Sequence, residues 1–170
     1  QNRYAKSAGY KASLGELQHV SEFLMDIHSE AATLRDLMLS FWQVPIPKRA
    51  RAFYRFRDNG GRLMEMTRLP MGHVVSPEIM QIISSVVAGD PRYCKPDCSL
   101  AVPRRRVWID NIRLCGSTEE MQVAARWLDE NAANLGATWK AADSRTAVTS
   151  YDFLGGHWNH QSAQVTISAK

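Results

Sequence analysis

A long amphipathic segment with clear end signals most limits what this chain can form. Ser117 and Glu120 have the spacing of a capping box, and Gly136 is a residue type that ends helices. Between them the apolar residues recur at helical spacing: Met121, Ala124, Ala125, Leu128, Ala132 and Leu135. A helix with one apolar stripe must bury it against another element. The segment therefore predicts a helix packed on a second layer.

The rest of the chain alternates between helix and strand signals. Ser13 is the expected cap of a helix over about 14–29, and Ser76 is the expected cap of a second helix that starts at Pro77 and includes the apolar run from Ile79 to Val87. Strand patterns occur at 32–37, 52–57, 62–68, 107–110, 112–115, 138–141, 151–154 and 164–167. Asp58-Asn59-Gly60-Gly61 is a turn signal that joins two of them in a hairpin. The order predicts an α+β fold, a mostly antiparallel sheet with helices on one face.

Composition limits the class of protein. A chain of 170 residues with 45% hydrophobic and 22% charged residues predicts one globular domain with a real core. It has no apolar run long enough for a membrane span, and it has only three cysteines. We therefore expect an intracellular protein with no membrane partner, in the cytoplasm or the nucleus. The first residue, Gln1, suggests a piece of something longer.

Positive charge is concentrated in two segments. Residues 35–68 contain eight Lys or Arg against three acidic residues, and residues 92–113 contain six against two. In the first, Phe53-Tyr54-Arg55-Phe56-Arg57 interleaves cations with aromatic rings, a composition suited to nucleic-acid backbones and bases. The alternative is a strand with arginines on its solvent face and aromatics in the core. Spacing alone leaves both interpretations open.

Two aspartates lie in strand-like segments where apolar residues are expected. These are Asp36, in Leu34-Arg35-Asp36-Leu37-Met38, and Asp110, in Val107-Trp108-Ile109-Asp110-Asn111. A charge beside a core needs a partner or a metal. Taken alone, either aspartate also fits a structural role, such as a turn at the tip of a hairpin with Asn111 as a turn residue.

Four ordered blocks make the chain resemble the reverse transcriptase family over nearly its whole length. Residues 36–46, DLMLSFWQVPI, are similar to motif A, and residues 67–77, TRLPMGHVVSP, to motif B. Residues 108–111, WIDN, occupy the place of the Tyr-x-Asp-Asp box, and 153–157, FLGGH, resemble the primer grip. The resemblance is strongest to retrotransposon enzymes of the long-terminal-repeat or tyrosine-recombinase type.

The resemblance implies an RNA-directed DNA polymerase, a nucleotidyltransferase that uses two Mg²⁺ ions, with Mn²⁺ as a possible substitute. Two such ions stabilise the attacking and leaving oxygens of an in-line displacement. Asp36 and Asp110 are the implied catalytic carboxylates, and the Leu37 carbonyl is an implied extra metal ligand. Mg²⁺ prefers this set of oxygen ligands.

Other roles also follow only from the resemblance. Phe41 is the implied gate beneath the sugar, with a core phenylalanine as the alternative, and Gly72 allows close approach of the incoming nucleotide. Implied contacts divide into substrate (Phe41, Met71, Gly72, Lys140), primer grip (Phe153, Leu154, Gly155) and nucleic acid (Arg55, Arg57, Arg68). Two departures weaken the expected activity: Asn111 replaces the second aspartate of the box, and Trp108 replaces its tyrosine.

As a whole, the chain is expected to be a single reverse transcriptase domain fragment over 1–170. The end of the fingers would cover 1–35, a ferredoxin-like palm with motifs A to E 36–155, and the start of the thumb or connection 156–170. Expected partners are an RNA or DNA template, a DNA primer, dNTPs and other parts of a retroelement polyprotein, including ribonuclease H, fingers and thumb. Two alternatives remain: a decayed or domesticated copy that binds nucleic acid without catalysis, and a ferredoxin-like RNA-binding module.

Overall fold

A computed structural model describes residue 2 and residues 7–11, 20–95, 99–102 and 104–168. The strands within these ranges are β1 (Ala31–Asp36), β2 (Arg55–Arg57), β3 (Leu63–Glu65), β4 (Arg104–Trp108), β5 (Asn111–Gly116), β6 (Arg145–Val148), β7 (Ser150–Phe153), β8 (Gly156–Asn159) and β9 (Gln164–Ile167). They form a central antiparallel sheet in the order β4–β5–β1–β6, a separate β2–β3 hairpin and a three-stranded sheet in the order β7–β8–β9. The expected α+β class is confirmed.

Within the same described ranges, two helices of three or more turns accompany these sheets. The α-helices are α1 (Val20–Leu24), α2 (Ser40–Gln43), α3 (Lys48–Arg51), α4 (Ser76–Val87) and α5 (Thr118–Leu135). Short 3₁₀ turns cover Met25–His28, Ala52–Tyr54 and Ala141–Asp143. Within the described ranges, no helix is both long and apolar enough to cross a membrane.

Helix α5 forms as its sequence predicts. Ser117 Oγ accepts a hydrogen bond from the Glu120 N–H, and Glu120 accepts one from the Ser117 N–H, so both halves of the capping box are present. Gly136 ends the helix with a φ of 70°, a left-handed conformation that glycine adopts without a Cβ clash. The apolar stripe is buried apart from Leu135 in the last turn, which is 53% exposed.

Side-chain alternation divides the central sheet between two cores. Ala31, Ile112 and Leu114 face α4 and α5, whereas Ala32 and Leu34 face the opposite side. On that side they meet Ile27, Tyr151, Phe153 and Trp158, which belong to the first 3₁₀ turn and to the β7–β9 sheet. The long helices therefore cover one face, as predicted, but a second sheet covers part of the other face, which was not predicted.

Several predicted boundaries were wrong because tertiary pairing decided them. Residues 138–141 do not form a strand; Trp139 makes a single bridge to Leu37 and a 3₁₀ turn follows. The strand that pairs with β1 is instead β6, with register points Ala32–Val148 and Leu34–Arg145. Strand β8 was also missed, because the Gly156-His157 start has weak strand propensity.

The other boundary corrections are local. The predicted 52–57/62–68 hairpin pairs only over β2 and β3, because Ala52–Tyr54 form a 3₁₀ turn. Ser76 is the first residue of α4 rather than its cap, since its buried N–H bonds to the His73 carbonyl. The predicted helix over 14–29 is α1 followed by a 3₁₀ turn where it is described; residues 12–19 lie outside the described residues.

Candidate active site

The two singled-out aspartates meet at one end of the central strands. Asp36 is the last residue of β1, and its cross-strand partner is Asn111, the first residue of β5. Side chains of directly opposed residues project from the same face of a sheet. Asp110 immediately precedes Asn111 in the β4–β5 turn, and its carbonyl accepts a hydrogen bond from the Leu37 N–H at 3.2 Å. The turn consists of Ile109 and Asp110, so Asn111 is not a turn residue, contrary to the sequence-based expectation.

Two neutral donors hold the Asp110 carboxylate. Ser40 Oγ, from the buried first residue of α2, donates to Oδ2 at 3.0 Å, and Asn111 Nδ2 donates to Oδ1 at 3.2 Å. A carboxylate at position 111 is acceptor-only when ionised and has no such donor. The asparagine that departs from the family pattern therefore has a definite contact here: it orients Asp110.

Electrostatics at the site oppose ionisation of Asp36. Burial raises the pKa of this carboxyl, and the nearby negative charges of Asp110 and Asp143 raise it further, while Lys140 acts in the opposite direction. The carboxylates of Asp36 and Asp110 lie close together in a partly buried site, so they repel each other unless a cation lies between them. The pair is therefore arranged to accept positive charge.

This repulsion predicts a pH-dependent stability. A carboxyl whose pKa is raised by folding favours the folded state at low pH and loses that contribution as the pH rises through the raised pKa. Without divalent ions, Asp36→Asn should therefore melt at a higher temperature than the wild type at pH 7, and at the same temperature at pH 3. Thermal denaturation at both pH values measures this.

Asp58→Asn is the matched control for that measurement. The hydrogen bond from the Arg62 side chain holds the pKa of Asp58 below its usual value, so removing this charge should not stabilise the protein at pH 7. An Asp36→Asn protein that is less stable than the wild type at pH 7 would contradict an electrostatic strain at the site.

Lys140 lies beside the aspartate pair. Its backbone N–H donates to the Asp36 carbonyl at 2.8 Å, and its ammonium pairs with Asp143. That ion pair raises the pKa of Lys140, and Asp36 and Asp110 raise it to a smaller extent. A cationic group is thus available at the edge of the acidic pair.

Gln43 joins the segment after β1 to the segment before Lys140. Its Oε1 accepts hydrogen bonds from the Thr138 N–H at 2.8 Å and hydroxyl at 3.1 Å, and its Nε2 donates to the carbonyls of Thr138 and Met38. Sequence reasoning assigned no role to this side chain. The only signal was its place in the block similar to motif A.

The segment with Met71 and Gly72 lies next to the segment that follows Phe41. Two backbone bonds connect them, Leu69 N–H to the Val44 carbonyl and Ile46 N–H to the Thr67 carbonyl, both at 2.9 Å. Phe41 is half-buried in α2 and Met71 is 62% exposed. Gly72 has a φ of 83°, and a Cβ there would meet nothing within 4 Å. Its conformation, rather than crowding within the described residues, favours glycine.

The basic β2–β3 hairpin lies on the surface. Arg55 and Arg57 are exposed, as is Arg68 beyond β3. Phe53 and Phe56 are 69% and 50% exposed, so the alternative that places these rings in the core is wrong for the described chain. An exposed surface of arginines and rings remains.

The block similar to the primer grip forms the β7–β8 turn. Phe153 is buried and packs on the Arg113 guanidinium, 4.7 Å from the ring centre. Leu154 and Gly155, with φ values of 49° and 77°, are exposed at the turn. Of the three predicted primer-grip residues, only these two are presented to solvent.

The fold belongs to a recognisable class, that of reverse-transcriptase-like folds. A foamy viral protease–reverse transcriptase in complex with double-stranded DNA has the same fold, with a TM-score of 0.71 and 18% identity over 93% of this chain. A foamy viral protease–reverse transcriptase in complex with an RNA/DNA hybrid has a TM-score of 0.66 and 19% identity over 91% of this chain. The native prototype foamy virus protease–reverse transcriptase has a TM-score of 0.64 and 20% identity over 93% of this chain.

The likeness is one of fold. This chain spans 26% of the first of these solved chains and 19% of the other two. No protein-family model and no curated protein matches its sequence.

Proposed function

We propose that this chain is the catalytic part of an RNA-directed DNA polymerase from a retroelement, which transfers nucleotides from dNTPs onto a primer. The observation that supports it is the placement of Asp36 and Asp110 at adjacent strand ends in a reverse-transcriptase-like fold. A ferredoxin-like RNA-binding module gives no reason for two mutually repelling carboxylates in this place.

The residues at the site fit Mg²⁺. Two carboxylates and the Leu37 carbonyl are hard oxygen ligands, and the pKa of Asp36 is raised first by burial and then by the negative charges of Asp110 and Asp143. When bound, two Mg²⁺ or Mn²⁺ ions would stabilise the attacking and leaving oxygens. Ser40 and Asn111 each donate to one oxygen of Asp110, so they would hold this carboxylate in a fixed orientation as a ligand. Within the described ranges, no larger cluster of metal-ligating side chains competes with this pair.

Further residues are assigned to the substrates within this proposal. Phe41 excludes a ribose 2′-hydroxyl by bulk, Met71 and Gly72 lie against the incoming nucleotide, and the Lys140 ammonium donates a proton to the leaving pyrophosphate. Leu154 and Gly155, with Phe153 packed behind them, guide the primer end. Template and primer partners are supported by the similar enzymes, whose structures contain double-stranded DNA or an RNA/DNA hybrid.

The organisation of the protein is part of the same proposal. Residues 36–155 form the palm, residues 1–35 the end of the fingers, and residues 156–170 the start of the thumb or connection. The chain would belong to an intracellular retrotransposon polyprotein of the long-terminal-repeat or tyrosine-recombinase type, and would act with its ribonuclease H, fingers and thumb.

Primer extension on a primed RNA template, titrated with Mg²⁺ and separately with Mn²⁺, tests the activity. A live enzyme extends the primer with dNTPs and stops when the metal is chelated. Absence of extension at every metal concentration, from a folded protein that contains the complete polymerase, would reject the polymerase.

A second candidate is a decayed or domesticated copy that binds nucleic acid without catalysis. Asn111 favours it, because the site has one carboxylate fewer than the family box. The extension assay separates the candidates, since a binding-only protein retains affinity for nucleic acid but never extends the primer.

Both candidates require the basic surface. Changing Arg55, Arg57 and Arg68 together to Gln should weaken binding to duplex DNA and flatten its salt dependence, by about 0.9 in the slope of log K against log salt for each lost phosphate contact. Fluorescence anisotropy across a salt series measures both. Lys11→Gln, an exposed cation outside this surface, is the control, and an unchanged slope in the triple variant would remove the hairpin from the interface.

A further inference from the structure

The turn that carries Asp110 has a backbone conformation that its own sequence disfavours. Ile109, the first turn residue, has a φ of 55°. Two-residue hairpin turns with positive φ favour Gly, Asn or Asp there, and a β-branched residue in this region is a steric outlier. Contacts from elsewhere in the fold must therefore hold the turn.

Gln81 supplies such contacts. Its Oε1 accepts a hydrogen bond from the Ile109 N–H at 2.7 Å, and its Nε2 donates to the Val107 carbonyl at 2.9 Å. The side chain is half-buried on α4, and its neighbour Met80 is 1% exposed in the core. One side-chain amide thus ties the end of β4 that leads into the turn to helix α4, which packs on one face of the sheet.

We propose that Gln81 is a positioning residue that sets the location of Asp110. Its two bonds fix the peptide planes on either side of Trp108 and so determine where the next residues project. The backbone carbonyl of Asp110 then meets the Leu37 N–H at 3.2 Å, which joins the turn to the end of β1 beside Asp36. The catalytic value of this arrangement rests on the proposed polymerase function, whereas the positioning itself does not.

The chemistry of glutamine suits this role. A side-chain amide has a donor and an acceptor in one plane, and both are needed for a carbonyl and an N–H two residues apart. Methionine is of similar length and offers neither a donor of this kind nor a comparable acceptor. Ionised glutamate can only accept, so it retains the bond from Ile109 and loses the bond to Val107.

Amide hydrogen exchange measured by NMR tests the positioning without an assay of activity. In Gln81→Met, exchange at the Ile109 and Leu37 amides should accelerate by roughly tenfold, since Ile109 loses its acceptor directly and the bond from Leu37 weakens when the Asp110 carbonyl moves. In Gln81→Glu at pH 7, the Ile109 amide should stay close to the wild-type rate.

Asn131→Leu is the matched control. The Asn131 amide is also half-buried and donates to a backbone carbonyl, that of Val87 at 2.9 Å, but this carbonyl lies at the C-terminal end of α4 and not at Gln81. Its loss should leave the Ile109 and Leu37 amides unchanged. Unchanged exchange at Leu37 in Gln81→Met, or equal acceleration in the control, would overturn the proposal.

Mn²⁺ titration followed by water proton relaxation adds the functional consequence. Residues that orient metal ligands typically contribute about 10- to 100-fold to metal affinity, so Gln81→Met should bind Mn²⁺ about tenfold more weakly than either the wild type or Asn131→Leu. A wild type that binds no Mn²⁺ would refute the metal site of the proposed function, and the exchange data would still decide whether Gln81 positions the turn. Wild-type Mn²⁺ affinity in Gln81→Met would count against the proposal.

Discussion

Asp110→Asn should abolish primer extension while leaving the protein folded. The substitution keeps the shape of the side chain and an acceptor for the Ser40 hydroxyl, but it removes a charge that the proposed metal site requires. Metal ions contribute several kcal/mol of stabilisation to such transition states, so we expect a loss of about 10³-fold in the rate. Single-turnover extension at saturating Mg²⁺ measures it.

Glu119→Gln is the control for this loss. It removes one negative charge from the first turn of α5, next to the end of β5 that is farther from the Asp110 turn. This variant should extend primers at the wild-type rate. A loss of less than tenfold in Asp110→Asn, with folding confirmed by circular dichroism, would show that the carboxylate is not a ligand in the reaction.

The elements that the sequence predicted well are those whose signals are local. Helix α5 has its capping box and its glycine within its own segment, and both act as the pattern indicates. The β4–β5 hairpin was also predicted, although its strands extend further toward Arg104 and Gly116 than expected. Local signals of this kind compete with few alternatives, because the atoms that decide them are close in the chain.

The position of the aspartates could be predicted from ordered blocks, but the contacts that hold them could not. Ser40 and Gln81 reach the Asp110 turn across 70 and 28 residues, respectively. No local sequence pattern indicates which distant residue a helical serine or glutamine will bond to. The roles assigned to the substrate-binding and primer-grip residues stay predictions.

Tertiary pairing determined what sequence reasoning missed. Strand β6 forms because it pairs with the edge of β1. Arg35 of β1 is only 5% exposed, and its guanidinium donates to the Arg145 carbonyl and to the Asp129 carboxylate. Charged residues in a core cannot be placed from hydrophobic periodicity, since they require partners that are distant in sequence.

Asp26 is the clearest case of such a buried charge, and its removal should have the largest effect on stability. It is fully buried and faces three arginines: Arg113 at 2.5 Å, Arg106 at 2.9 Å and Arg104 at 3.9 Å. The Arg113 guanidinium also lies 4.0 Å from the ring centre of Trp158 and 4.7 Å from that of Phe23. This cluster joins the first 3₁₀ turn, the central sheet and the β7–β9 sheet.

Asp26→Asn should lower the free energy of unfolding by about 3 to 5 kcal/mol, the usual cost of breaking a buried ion pair from one side. For a chain of this length that corresponds to a fall of about 10 °C in Tm. Urea denaturation measures the change. Glu65→Gln, which breaks the exposed pair with Arg55, is the control and should cost at most about 1 kcal/mol.

The cluster has one carboxylate for three guanidinium groups, so removing the carboxylate and removing one arginine should not cost the same stability. Arg113→Met leaves Asp26 paired with Arg106 and fills the space between the rings with a side chain that packs well on aromatics. Asp26→Asn instead leaves three cations without their shared anion. We therefore expect Arg113→Met to destabilise the protein less than Asp26→Asn. The loss of unfolding free energy in the double variant should be smaller than the sum of the losses in the two single variants. The reason is that the second change removes a charge that the first change left unpaired. An additive double variant would show that the carboxylate and Arg113 contribute independently.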